Sequence, residues 1–327
     1  MSPTAQTTCF SASRLNDTTF VICEDDKWSE NPLIYAKLFP NSLVLIDTGC
    51  GGAAKDPTVE LRSLRAFIET YPVAENEDKP LNKSGTRKYV VICTHCHYDH
   101  IGGIEEFTDS ESAIWASSFD KDFIQGPDRL PETSLCRFVG METPNYQVTG
   151  WANDGQSLVN SQGEDLGLIF YHTPGHTPDQ LAIWDHQERF LFVGDSIYEW
   201  AAILFPREGN VTTYSKTIGK MKKLVQGWNQ ERGTTDSEAL ALRVRMACGH
   251  NTRNEDALEL LEEVDRVLLA AVEQRIQPID KGINREEQSE LYEDGNGRIS
   301  FFGSAAGFTA LRNNAEAVEE MRKRCGL

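Results

Sequence analysis

The stretch Val90-Val91-Ile92-Cys93-Thr94-His95-Cys96-His97-Tyr98-Asp99-His100-Ile101-Gly102-Gly103 constrains this chain more than any other. Residues 89–93 are an apolar run that reads as a buried strand, and the run ends abruptly in three histidines and an aspartate. Three of the chain's 7 histidines fall within these few positions. Neutral imidazole and carboxylate are the ligand types that hold zinc or iron at an open site. His95, His97, Asp99 and His100 cannot all point one way from a regular strand or helix, but they can on a tight loop at a strand's end. Gly102 and Gly103 would then let the chain turn close to a metal.

Further strand ends carry similar groups. Residues 18–23, 33–39 and 42–46 read as strands, and the third closes on Asp47-Thr48-Gly49. Residues 166–171 read as a strand running into His172-Thr173-Pro174-Gly175-His176-Thr177, where Pro174 and Gly175 fix a tight turn that presents His176. Residues 180–184 and 190–194 form a hairpin whose second strand ends in Gly194-Asp195, and residues 243–248 form a last strand ending at Gly249-His250. His172 is expected to be structural and His186 a solvated turn residue.

Taken in this order, H-x-H-x-D-H at 95–100, the D-x-G of Asp47, T-P-G-H-T at 173–177, the G-D of Asp195 and the final His250 resemble the landmarks of the metallo-β-lactamase-fold hydrolases. The resemblance spans about residues 18–275. It implies an α/β fold: a four-layer αβ/βα sandwich of two mixed β-sheets flanked by helices. It also implies two divalent metal ions, zinc for preference, with manganese or iron accepted by the same ligands. Carried over residue by residue, His95, His97 and His176 match the ligands of the first metal. Asp99, His100 and His250 match those of the second, Asp195 bridges them, and Asp47 supports the loops from behind. Asp99 would also move the proton between nucleophile and leaving group. An aspartate at the bridging position is similar to the glyoxalase and lactonase branches rather than the penicillin-cleaving one. Tyr198, three residues past Asp195, matches the tyrosine that bacterial lactone-opening members hold against the carbonyl oxygen; packing beside Trp200 is its other reading.

The implied activity is hydrolysis of a small cyclic amide, carbamate or ester (γ-lactam or γ-lactone type). A metal pair supplies hydroxide at neutral pH by lowering the pKa of its water. Thioester hydrolysis of the type II glyoxalase or polyketide-releasing kind is the alternative, and an iron persulfide dioxygenase the second. Oligomeric state is not legible.

The resemblance implies a small-molecule substrate, and composition argues against other partners. With 50 acidic against 32 basic residues the net charge is −18, which repels phosphate backbones and argues against nucleic acid. No apolar run approaches membrane-spanning length and no targeting signal is readable, so the expected compartment is the cytosol. The 8 cysteines are widely scattered and read as reduced thiols, with Cys96 lining the site.

A single domain over 1–327 is expected, with additions. Asp56-Pro57 reads as the start of a helix bearing Leu61, Leu64 and Ile68. Residues 117–151 read either as a peripheral helical hairpin with its own core or as a lid whose aromatics wall the substrate pocket. Tyr214, Ile218, Met221, Val225 and Trp228 mark one buried helix face, and Asn254 caps another helix running through Ile276. Residues 1–17 are expected to form a loose terminus or a covering arm, 229–241 a polar link, 277–300 an irregular C-terminal extension, and 309–324 a closing helix.

Overall fold

The computed structural model describes residues 6–230, 242–284 and 286–327. The chain divides into two compact units, one running to Tyr171 and the other starting at His172. Most of the polar link expected at 229–241 lies outside the described residues.

The first unit is built on a seven-stranded sheet in sequential order. Its strands are β1 (Phe10–Arg14), β2 (Thr19–Glu24), β3 (Leu33–Leu38), β4 (Ser42–Ile46), β5 (Lys88–Ile92), β6 (Ala113–Ser117) and β7 (Gly150–Ala152). The first four run antiparallel and the pairs from β4 onward run parallel. The parallel register Ser42↔Lys88 through Ile46↔Ile92 matters most, because it brings Asp47 and the histidine loop out side by side at the same strand ends. The Asp47 N–H donates to the Ile92 carbonyl at 2.8 Å, extending the pairing by one step. Strands β8 (Ser157–Val159) and β9 (Asp165–His172) form an antiparallel pair at the unit's end.

Helix α1 (Leu64–Thr70) covers the β4–β5 crossover, and the single turn α2 (Tyr98–Ile101) follows His95 and His97. The helix expected from Asp56-Pro57 does not start there. Asp56 instead closes a local turn, accepting from the Thr58 N–H and hydroxyl at 2.8 and 2.7 Å. Ser63 caps α1, and Glu106 accepts from the Leu64 and Arg65 N–H groups at 3.1 and 2.8 Å. The loose terminus is also corrected: β1 pairs with β2 over its whole length.

Residues 117–151 form neither a helical hairpin nor a separate core. They contain three single turns, α3 (Lys121–Ile124), α4 (Leu130–Thr133) and α5 (Cys136–Val139). Phe123, Ile124, Leu130 and Val148 join the core that packs on the seven-stranded sheet. The segment is tied to the histidine loop itself, through Tyr98 N–H to the Ser134 carbonyl at 2.8 Å and the Cys96 thiol to the Thr133 carbonyl at 3.3 Å. Cys96 is therefore a fully buried anchor rather than a lining residue.

In the second unit, β10 (Leu181–Asp185) pairs antiparallel with β11 (Phe190–Phe192), and β13 (Arg245–Ala247) runs parallel to β11 with the short β14 (Glu255–Asp256) beyond it. Helix α6 (Val211–Gln230) buries Tyr214, Ile218, Met221, Val225 and Trp228 as expected. Helix α7 (Ala257–Val272) is capped by Asp256, which accepts from Leu258 and Glu259 N–H groups, not by Asn254.

The expected irregular extension is a sheet. Its order is β12 (Ala202–Leu204), β17 (Ser300–Ser304), β16 (Glu287–Glu293), β15 (Ile279–Asn284). The closing helix is two helices, α8 (Ala305–Arg312) and α9 (Ala315–Arg324), with Asn314 capping the second. Buried Asp265 of α7 accepts from Lys222 of α6 at 2.9 Å and from Arg324 of α9 at 2.9 and 3.2 Å, binding the three helices together. No helix among the described residues is long and apolar enough to cross a membrane.

Candidate metal centre

Four of the expected ligands lie in the first unit, and none is more than 5% exposed: His95, His97, Asp99 and His100. Two of their ring nitrogens, His95 Nε2 and His97 Nδ1, stand 3.0 Å apart. Nitrogens bound to one tetrahedral zinc would lie roughly 3.3 Å apart, so this pair fits a shared cation. The far sides of the rings show how they are held. Thr94 donates its hydroxyl to Asp47 Oδ2 at 2.8 Å, so its oxygen is left to accept from His95 Nδ1–H at 3.0 Å. His100 Nδ1–H donates to the same Asp47 Oδ2 at 2.8 Å, while the Thr94 N–H donates to Oδ1 at 2.7 Å. Both imidazoles are thereby fixed with the Nε2 lone pair facing away from Asp47. Asp99 Oδ2 lies 3.4 Å from His100 Nε2.

Backbones cross closely beneath this loop. A Cβ on Gly51 would meet the Gly102 carbonyl oxygen at 2.6 Å, and one on Gly102 would meet the Cys50 carbonyl carbon at 2.6 Å. Gly102 thus serves the contact between two loops, not a turn toward a metal. Glu24 is a support that sequence reasoning missed. Buried at the end of β2, it accepts from the Cys50 and Gly52 N–H groups, both at 2.7 Å. Burial pushes its carboxyl up to about 7, against the pull of those two N–H groups.

The other three expected ligands lie in the second unit, again buried: His176, Asp195 and His250. Asp195 Oδ2 has His250 Nε2 at 3.4 Å and His176 Nε2 at 3.8 Å, so two imidazoles flank one carboxylate oxygen. His176 Nδ1–H donates to the Leu204 carbonyl at 2.8 Å, which again turns Nε2 toward the carboxylate. Gly175 gives this turn its shape: its φ is +150°, and a Cβ there would strike Tyr214 at 2.6 Å. Tyr198 lies with its ring 5.6 Å from that of His250, and its hydroxyl donates to the Ala202 carbonyl at 3.0 Å. His172 is structural, paired with the Pro178 carbonyl at 2.8 Å, and His186 is exposed. All eight cysteines are free thiols.

Each unit thus presents a set of buried imidazoles and carboxylates oriented by acceptors behind them, the donor chemistry of a divalent-metal hydrolase. The sequence profile of the metallo-β-lactamase superfamily matches residues 38–228, and the chain belongs to that superfamily of metal-dependent hydrolases. It is 35% identical over 298 residues to the Aspergillus versicolor protein avaE, provisionally named a transcription factor, covering 90% of this chain and 84% of that one. Chicken (Gallus gallus) acyl-coenzyme A thioesterase MBLAC2 is 25% identical over 56% of this chain and 63% of its own length. The hydroxyacylglutathione hydrolase GloC of Haemophilus influenzae is 26% identical over 41% of this chain and 61% of its own. The chain therefore spans less than two thirds of either enzyme. Among solved structures, a metallo-β-lactamase family protein of Thermus thermophilus matches with a TM-score of 0.52 and 17% identity, over 81% of this chain and 85% of that one. The metallo-β-lactamase-fold chain VMB-1 matches with a TM-score of 0.51 and 15% identity, over 79% and 95%. These likenesses establish the fold class expected from the landmarks.

Proposed function

We propose that the seven side chains His95, His97, Asp99, His100, His176, Asp195 and His250 hold two divalent ions, zinc for preference, and hydrolyse an acyl bond in a small molecule. The observation that carries this reading is the orientation of His95, His100 and His176, each with Nδ1 donating to oxygen and Nε2 left on the ligand side. When bound, a metal pair supplies Lewis acidity for a carbonyl oxygen and lowers the pKa of an attacking water. The protein's own part is to fix the ligands and manage the proton. Asp99, nearly enclosed, takes the proton from the attacking water and returns it to the leaving atom. Beside it, Trp28, Leu135, Val139 and Met141 pack on Tyr98 and Cys50 as a partly exposed apolar wall, which suits the apolar portion of a substrate. In this reading 130–141 acts as the specificity-bearing part of the lid segment.

The first substrate class is a cyclic ester, amide or carbamate, a γ-lactone or γ-lactam, as in secondary-metabolite or xenobiotic chemistry. It assigns Tyr198 as donor to the carbonyl oxygen, and that donation requires the phenol to leave Ala202. The same hydrogen bond favours a second class, thioesters, for which no tyrosine donor is needed; one relative is named an acyl-coenzyme A thioesterase and another a hydroxyacylglutathione hydrolase. A net charge of −18 argues against a nucleic-acid partner, and eight free thiols suit the cytosol.

The deciding experiment is a mass-spectrometric hydrolysis screen of γ-lactams, cyclic carbamates, γ-lactones, acyl-coenzyme A and acylglutathione, each with and without chelator. Chelator-sensitive addition of one water to a ring identifies the first class. Turnover confined to thioesters identifies the second, and turnover indifferent to chelator would overturn the metal reading.

A further inference from the structure

The C-terminal strands, which the superfamily landmarks do not reach, bear directly on the ligands of the second unit. Glu199 lies four residues past Asp195, and Thr252 two residues past His250. The Glu199 N–H donates to the Thr252 hydroxyl at 3.0 Å, and that hydroxyl donates to Glu199 Oε2 at 3.0 Å. Asn251 Nδ2 donates to the Glu199 carbonyl at 3.1 Å. One buried residue, 5% exposed, thus stitches the turn after Asp195 to the turn after His250.

Arg298, at the entry to β17, closes the arrangement. Its Nε–H donates to Glu199 Oε1 at 2.6 Å, its other arm binds Glu263 of α7, and its carbonyl accepts from the Trp200 N–H at 2.9 Å. The first of the stitched turns is held in the left-handed region that a bulky side chain disfavours, with φ of 64° at Trp200, while Asn251 at φ 53° is a residue type that tolerates it. The same C-terminal strand holds the third ligand. β12 lies parallel to β17, and β12 supplies the Leu204 carbonyl that orients His176 and the Ala202 carbonyl that holds Tyr198. Glu199 is buried but the Arg298 side chain is 30% exposed, and a half-exposed ion pair contributes little to stability by itself. A charged pair fixed between two ligand-bearing turns suits positioning instead.

We propose that Glu199 is a positioning residue for the metal centre, locked by Arg298, so that the C-terminal strands set the relative placement of Asp195 and His250. This rests on the ligand reading above. The test loads full-length protein with zinc and measures zinc affinity by competition with a chromophoric chelator, alongside urea unfolding of the zinc-free form. Outer supports of metal ligands typically tune affinity by about 10- to 100-fold, and Glu199→Gln is expected to weaken zinc binding by that factor. Arg298→Lys keeps the charge but not the fork and should fall between, while Arg322→Ala, which breaks an exposed ion pair with Glu273, should leave affinity unchanged.

If Glu199→Gln does not fold, Thr252→Val tests the same stitch, and Thr252→Ser should restore affinity. Zinc affinity within about threefold of wild type in the folded variants, whatever their urea stability, would overturn the proposal. Asp195→Asn separates the two ideas. Wild-type zinc loading in Asp195→Asn refutes the ligand reading, whereas lost loading there with normal loading in Glu199→Gln refutes only the positioning role.

Discussion

Replacing Asp47 by asparagine should leave the fold standing while disabling His100, one of the proposed metal ligands. Asp47 is 2% exposed, sits at φ 64°, a backbone region asparagine tolerates, and accepts three hydrogen bonds. Asparagine Oδ1 can still accept from the Thr94 N–H. Its Nδ2, however, replaces the oxygen that receives both the Thr94 hydroxyl and His100 Nδ1–H. The Nδ2 hydrogens then require His100 Nδ1 to accept, which moves that ring's proton to Nε2, the nitrogen offered to the metal. A hydrogen bond to a charged group contributes roughly 1.5–3 kcal/mol and a neutral one about 0.5–1.5, so two weakened bonds cost about 2–3 kcal/mol. Asp47→Ala strands all three donors and should cost about 5–9 kcal/mol on the same scale. Zinc affinity of the folded asparagine variant should fall about 10- to 100-fold. Urea unfolding and chelator competition measure the two effects, and 15N NMR of the His100 ring reports the proton's position. Wild-type zinc affinity in Asp47→Asn, or a ring still protonated on Nδ1, would refute the reasoning.

Three other outcomes follow from the same geometry. Glu24, raised from 4.5 to about 7, binds a proton more tightly folded than unfolded, so its contribution of about 3 kcal/mol is complete below pH 4.5 and lost as pH rises through about 7; urea midpoints between pH 5 and 8 should fall more steeply in wild type than in Glu24→Gln. Asp265→Ala leaves Lys222 and Arg324 buried without their carboxylate and should cost about 3–5 kcal/mol, where an unchanged urea midpoint would refute the clamp. Tyr198→Phe should cut kcat on a γ-lactone by about 100-fold if the phenol donates to the carbonyl, and should change it little if Ala202 is the hydroxyl's partner throughout.

The ligand-bearing loops are legible because metal chemistry restricts residue type at fixed places, the ends of apolar strands, and apolar runs such as 42–46 and 89–93 announce those strands. Legibility fails where a local signal has two solutions. Asp56-Pro57 satisfies a helix start and a turn equally well, and the choice falls to Ser63, whose helix gains Glu106 from 43 residues away. β1 is hard to read because Phe10-Ser11-Ala12-Ser13-Arg14 has a single large apolar residue. β15 and β16 are hidden because their sheet is largely solvated: Ile283 on β15 is 77% exposed, while Tyr292 on the neighbouring β16 is fully buried. In such strands the alternation is carried by too few apolar positions to stand out from a charged loop.

The supports are illegible for a deeper reason. Asp47 can be named because it sits inside a motif, but Glu24, Glu199 and Arg298 reach partners 26 to 99 residues away, and nothing local distinguishes them among the chain's 50 acidic and 32 basic residues. Their work is nevertheless of one kind. Asp47 joins the loop after β4 to the loop after β5, and Glu199 joins the turn after Asp195 to the turn after His250, each through a buried carboxylate residue that engages backbone and side-chain groups together. A carboxylate suits this task because it can accept from several directions at once, which an apolar contact cannot do and a neutral amide does only in part. The cost is buried negative charge added to that of Asp99 and Asp195, a cost that cations bound at the proposed ligands would offset. Zinc should therefore raise the urea midpoint of the wild type more than that of Asp47→Asn, since removing the support removes both a charge and a ligand.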